Sequence, residues 1–138
     1  MKIVLDTNCL LRSVSPKSKY HAILTALQRG VYALCYSNEI LGEYEELLLR
    51  FYSNPLTNNF LNFIVNSIYT QRVIPYYKWN LITADSDDNK FVDCALNAGA
   101  DYIVTNDKHF NVLRDIEFPS IQVIDIDEFK NICEQQCF

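Results

Sequence analysis

Asp6 and Asp107 each close an apolar run: Ile3-Val4-Leu5 leads into Asp6-Thr7-Asn8, and Tyr102-Ile103-Val104 leads through Thr105-Asn106 into Asp107. Each run reads as a buried strand that delivers a carboxylate at its exit. In an open parallel α/β sheet, sites form outside the carboxyl ends of the strands, so two acids far apart in sequence can meet there. Carboxylates that meet repel one another and need a cation. For an all-oxygen site the natural choices are Mg²⁺ and Mn²⁺. These two segments therefore point to metal-dependent chemistry.

Two further stretches offer acids. Ser37 is placed to cap a long helix running to about Tyr52, on which Ile40, Leu41, Tyr44, Leu47, Leu48 and Phe51 form the apolar stripe. Glu43 lies at the border of that stripe, whereas Glu46 points away from it, and Glu39 and Glu45 sit further round. The run Asp85-Ser86-Asp87-Asp88-Asn89-Lys90 precedes a second helix ending at Gly99. Acids in a first helical turn are expected from capping and from the macrodipole, and Asp87 is the best cap. Asp88 falls on the inward side with Val92 and Ala95, while Asp93 and Asn97 are expected to face outward. Asp6 itself could cap the helix that follows it, but Thr7 or Asn8 can do so instead and leave its carboxylate available.

Other chemistries lack their residues. With glycine only at 30, 42 and 99, neither a dinucleotide fingerprint nor a phosphate-cradling loop can be built. The histidines, His21 and His109, have no Ser or Cys partner at a recognisable spacing and read as surface or loop residues. Cys9, Cys35, Cys94, Cys133 and Cys137 contain no C-x-x-C pair and read as small apolar filler. Cys133 and Cys137 are one helical turn apart without the further ligands a zinc site needs. A net charge of −5 is unusual for a nucleic-acid binder. Clustered carboxylates neutralised by metal would account for much of it, and Arg12, Lys17, Lys19, Lys90 and Lys108 supply a local basic rim.

These residues must be positioned by alternating elements. Strands are expected at 2–6, 32–36, 73–74, 102–105 and 121–124. Helices are expected from Thr7, at 18–28, 37–52, 57–69, 87–98, after Asp107 and at 127–135, with Gly30 stopping the second. Ser53-Asn54-Pro55 reads as a helix-to-helix turn. The order implies a three-layer α/β/α fold around a mostly parallel sheet of four to five strands. With 138 residues, 49% of them apolar, the chain suits one domain spanning 1–138 with a real core. No apolar run reaches the roughly 20 residues of a membrane span, and Met1-Lys2 leads directly into a strand pattern. A soluble, cytoplasmic protein is expected.

The combination of Asp6-Thr7-Asn8 after the first strand, an acid six residues past Ser37, Asp-Asp-Asn-Lys-Phe-Val-Asp-Cys-Ala-Leu at 87–96 and Thr105-Asn106-Asp107 resembles the PIN-domain ribonucleases along essentially the whole chain. It looks most like the small branch that includes the VapC-type toxins of toxin-antitoxin pairs. The resemblance implies a catalytic quartet of Asp6, Glu43, Asp88 and Asp107 that binds Mg²⁺ or Mn²⁺ and cuts single-stranded RNA, with Asn8 and Thr105 as supporting neighbours. The third acid is Asp88 in preference to Asp85 or Asp87. It further implies a cognate antitoxin protein as partner, and we expect a homodimer. Where the family often carries a further acid two residues past the last aspartate, this chain has His109, which implies a weakened or missing second metal position.

Two other readings compete. In phosphoryl transfer through an aspartyl phosphate, Asp6 fits the nucleophile's place, but the acid expected two residues later is Asn8. A catalytically degenerate module would only bind RNA or a protein. Tyr36, Tyr52, Tyr69, Tyr76, Tyr77 and Trp79, which lie outside clear strands, would then serve as a dimer surface or stacking platform.

Overall fold

The computed structural model describes residues 1–136. Five strands, β1 (Lys2–Leu5), β2 (Ala33–Tyr36), β3 (Thr70–Arg72), β4 (Tyr102–Val104) and β5 (Gln122–Ile124), form one sheet in the order β3-β2-β1-β4-β5. All four pairings are parallel. Ile3, Val4 and Leu5 are completely buried, as the central strand of a sheet covered on both faces must be. The layers above and below are α1 (Thr7–Val14), α2 (His21–Gln28), α3 (Asn38–Phe51), α4 (Asn54–Asn66), α5 (Asn89–Ala98) and α6 (Ile126–Gln136). The architecture is the three-layer α/β/α fold expected from the alternation of elements. α5 lies directly against β1, β2 and β4, while α1, α2, α3 and α6 pack on one another.

From β1 the chain moves outward on one side to β2 and β3, then returns to place β4 on the other side of β1. The strand order therefore reverses between β1 and β4, and a crevice opens at their carboxyl ends. Asp6 and Asp107 leave the sheet at that crevice.

Element ends follow local chemistry. Ser37 caps α3 by accepting from the Ile40 N–H, and Ser53 caps α4 by accepting from Leu56 N–H, with Pro55 in the first turn. The second cap starts α4 at Asn54 rather than at 57. Gly30, just past α2, has φ +74, and the Tyr69 ring lies where a side chain would project. Gly99 ends α5 in the left-handed conformation.

Several expectations need correction. The third strand is Thr70–Arg72, not 73–74, because the chain pairs with β2 immediately after the Ser67-capped turn and is irregular from 73 to 85. Asp85, not Asp87, caps the start at 86–88: its carboxylate accepts from Asp87 N–H, closing a short 3-10 turn before α5. Phe51, assigned to the apolar stripe of α3, is 69% exposed because the helix ends there and the chain turns away. Tyr36 closes β2 and is buried. Asp93 and Asn97 do not face solvent together: Asp93 is buried and Asn97 half-buried, for reasons given below. Cys9, Cys35, Cys94 and Cys133 are buried and none is in a disulfide; Cys137 lies outside the described residues.

Candidate active site

The crevice is built outward from β1. Asp6 N–H donates to the Val104 carbonyl at 3.0 Å, extending the β1–β4 pairing one residue past Leu5. This sets Asp6 beside Thr105, whose hydroxyl donates to Asp6 Oδ2 at 2.7 Å. The same hydroxyl accepts the Asp107 N–H at 3.0 Å, so one buried threonine fixes both strand-exit acids. Although Asp6 occupies the cap position of α1, its carboxylate makes no capping bond across the first turn and remains directed to the site. Asp107 accepts the His109 N–H at 2.9 Å in a tight turn that starts the 3-10 segment Lys108–Asp115. Asn106 turns the other way, its Oδ1 accepting Ile126 N–H at the start of α6.

Glu43 arrives from α3. Tyr44, fully buried, donates its hydroxyl to the Leu5 carbonyl at 2.6 Å and so pins α3 against the end of β1. The neighbouring Glu43 then receives the Thr7 hydroxyl on Oε2 and the Lys90 ammonium on Oε1, the latter at 2.9 Å.

Asp88 comes from the 3-10 turn ahead of α5. Its Oδ2 lies 3.3 Å from His109 Nδ1, which is also 3.5 Å from Asp107 Oδ1. His109 is therefore part of the site, bridging its two acidic sides, and not only the surface or loop residue its sequence context suggests. Its place two residues after Asp107 is the signal in the sequence, which the resemblance reads as a weakened second metal position and not as a contact with Asp88. Asp85, Asp88 and His109 each present a ligand atom within 4.8 Å of the others, the one such trio among the described residues. Asp6, Glu43, Asp88 and Asp107 are brought within electrostatic reach, while their oxygens do not yet converge to that distance.

That reach bears on the carboxyls of Asp6 and Asp88. Burial pushes the Asp6 carboxyl above its ordinary value, with the charges of Glu43 and Asp107 adding to the shift and the Thr105 hydroxyl opposing it. Burial also raises Asp88 to about 6; the His109 contact opposes this, and Asp107, Asp85 and Asp6 repel the charge further. Carboxylates in this condition are incompletely compensated, and a hard divalent cation matches their oxygen donors. The donor set thus fits Mg²⁺ or Mn²⁺.

A second group of residues, unforeseen from the sequence, holds the acidic turn in place. Asn89, Asp93 and Asn97 recur at every fourth position of α5, on one face. Asn89 donates to the Ile82 carbonyl at 2.8 Å and accepts its N–H at 2.9 Å. Asp93 accepts the Trp79 N–H at 3.0 Å, and Asn97 donates to the Tyr77 carbonyl at 3.0 Å. These polar side chains act toward the irregular segment 77–82 as a neighbouring strand would. The spacing of three Asn/Asp residues is the available signal, although polarity alone leads to the expectation that Asp93 and Asn97 face outward.

Beside Asp6 and Asp107 the crevice widens into a cleft of about 720 Å³, lined by Asn8, Arg12, Phe51, Tyr52 and Asn106 among others. It joins acid, amide, guanidinium and aromatic surface in one continuous path.

Among curated proteins, none matches this chain in sequence. Among solved structures, the fold is similar to that in the crystal structure of VapBC2 from Rickettsia felis bound to a DNA fragment from their promoter, at a TM-score of 0.60 and 15% identity, covering 91% of this chain and 98% of that one. It is similar also to the PIN domain endonuclease Utp24, at a TM-score of 0.51 and 18% identity, covering 90% of this chain and 84% of that one. The family model described as PIN domain matches residues 2–109, which include every acid of the crevice. The chain belongs to the PIN domain family.

Proposed function

We propose that this protein is a metal-dependent endoribonuclease of residues 1–138 that hydrolyses phosphodiester bonds in single-stranded RNA with Mg²⁺ or Mn²⁺. The observation that carries the reading is the meeting of acids from β1, β4 and the turn before α5, with Asp6 and Asp88 both driven upward in pKa. Half-buried carboxylates shifted upward together by burial and by one another's charge, beside a cleft, are the arrangement that marks a functional site.

In this reading Asp6, Asp88 and Asp107 hold the cation, and Asp85 and His109 stand next to them as further donors. A divalent ion, when bound, supplies an acidified water and positive charge against the phosphate oxygens. Thr105 orients Asp6 and the backbone of Asp107. Glu43 lines the site from α3, held by Thr7 and Lys90. Asn8 lies at the mouth of the cleft. Arg12 is positioned to meet a backbone phosphate, and exposed Phe51 with Tyr52 offers ring faces to unpaired bases. Such a path supports single-stranded over duplex substrate, since paired bases cannot present their faces to aromatic side chains.

The resemblance to the VapC-type branch supports a toxin role with a cognate antitoxin partner, and the similarity to VapBC2 agrees with it. Exposed Tyr76, Tyr77 and Ile68 provide apolar surface for a homodimer. No helix among the described residues is long and apolar enough to cross a membrane.

The test is incubation of purified protein and its Asp6→Asn variant with single-stranded and structured RNAs in Mn²⁺, Mg²⁺ or EDTA. Cleavage that requires metal, favours the single-stranded RNA and disappears in Asp6→Asn is the expected result. A folded protein that cuts nothing and gains no thermal stability from either ion would instead favour a module that only binds RNA or protein.

A further inference from the structure

Lys90 treats one acid of the crevice differently from the rest. Its ammonium sits 2.9 Å from Glu43 Oε1, and its side chain is only 13% exposed. The other oxygen of Glu43 takes the hydroxyl of Thr7, itself buried. Both oxygens are thus engaged before any ligand arrives. The ammonium is also held from behind, 5.5 Å from the centre of the Phe91 ring, with the charges of Asp87 and Glu39 drawing it to the same spot. The His109 ring stands against Asp88 and Asp107.

We propose that the Lys90 ammonium occupies the place beside Glu43 that a second divalent ion would take, so that the site binds one divalent ion and Glu43 orients its surroundings without ligating it. This rests on the metal-dependent reading above. An ion ligated by Glu43 would have to displace a partly buried ammonium and a buried hydroxyl, or else share the carboxylate with a like charge. Asp6, Asp88 and Asp107 make no salt bridge to a lysine or arginine among the described residues, and they remain the groups with charge to spare for a single ion. Lys90 is in this sense a positioning residue: through Glu43 and Thr7 it ties α5 and α3 to the start of α1 while setting the ion count.

The test is to count bound Mn²⁺, by electron paramagnetic resonance of the unbound ion and by native mass spectrometry, in the wild type, Lys90→Met and Lys90→Arg. Circular dichroism establishes that each variant is folded. The expected result is one ion in the wild type, one in Lys90→Arg, and two in Lys90→Met, where Glu43 loses its resident cation. Two ions in the wild type, or one in folded Lys90→Met, would overturn the proposal. Should Lys90→Met not fold, Lys90→Gln replaces it under the same criterion. Wild-type protein that binds no Mn²⁺ would instead defeat the metal-dependent reading beneath the proposal, so the two failures are distinguishable.

Discussion

The two acidic sides of the crevice are fixed by different means. Asp6 and Asp107 leave adjacent parallel strands, are set by the sheet's own hydrogen bonds, and share one buried threonine. Asp85 and Asp88 sit on a short turn after a stretch without regular structure, and side chains of α5 hold that stretch in place. The first side inherits the rigidity of the core. The second depends on a few polar contacts, any of which can be removed without touching the sheet. Catalytic precision should therefore fail gradually on the α5 side and abruptly on the strand side.

The largest expected effect lies on the strand side: Asp107→Asn should lower metal-dependent RNA cleavage at least about 10³-fold by removing charge opposite the cation. Circular dichroism should show an unchanged fold; retained activity would remove Asp107 from the site. Thr105→Val comes next. It keeps the shape of the side chain but loses the hydroxyl that orients Asp6, and a loss of about 10- to 100-fold in cleavage or in Mn²⁺ affinity is expected.

On the other side, Asn89→Ala leaves the Ile82 N–H and carbonyl without partners in a buried place, at a cost of about 1–3 kcal/mol. Thermal denaturation should show the loss, and hydrogen exchange should show faster opening at 77–88 than in β1 or β4. Uniform acceleration across the protein would contradict the separation of the two sides. The smallest effect belongs to the cleft: Phe51→Ala should weaken binding of single-stranded RNA by about 1 kcal/mol, roughly fivefold, at unchanged melting temperature, because the ring is exposed.

The same contrast governs what could be read from the amino-acid order. Strands β1 and β4 were legible as apolar runs, and Asp6, Thr105 and Asp107 as their exits, because in a parallel sheet local pattern and tertiary position coincide. The border position of Glu43 followed from the period of α3. The segment 73–85 was not legible, since its conformation is determined by the side chains of Asn89, Asp93 and Asn97, and a helical wheel assigns these by polarity alone. The cap at Asp85 instead of Asp87 is a displacement of two residues among adjacent acids, each able to accept from a nearby N–H. The contacts of His109 and Lys90 were not legible for a shared reason: they depend on carboxylates brought near by the fold, from Asp88 in one case and Glu43 in the other.

The most direct measurement is the melting temperature of the wild type and Asp88→Asn across pH, in EDTA and in Mn²⁺. Without metal, the raised pKa of Asp88, about 6, means that its ionised form is less favourable in the folded protein than in the unfolded chain. The protonated carboxyl costs nothing below about pH 4; stability is lost as pH rises through about 6, and the full cost remains above it. In EDTA, Asp88→Asn should therefore melt above the wild type at pH 7 and together with it near pH 4. In Mn²⁺ at pH 7 the order should reverse, because only the wild type gains from binding the ion. A wild type that melts at the same temperature in Mn²⁺ and in EDTA, with Asp88→Asn never the more stable, would contradict the account of a crevice whose acids are gathered around a cation.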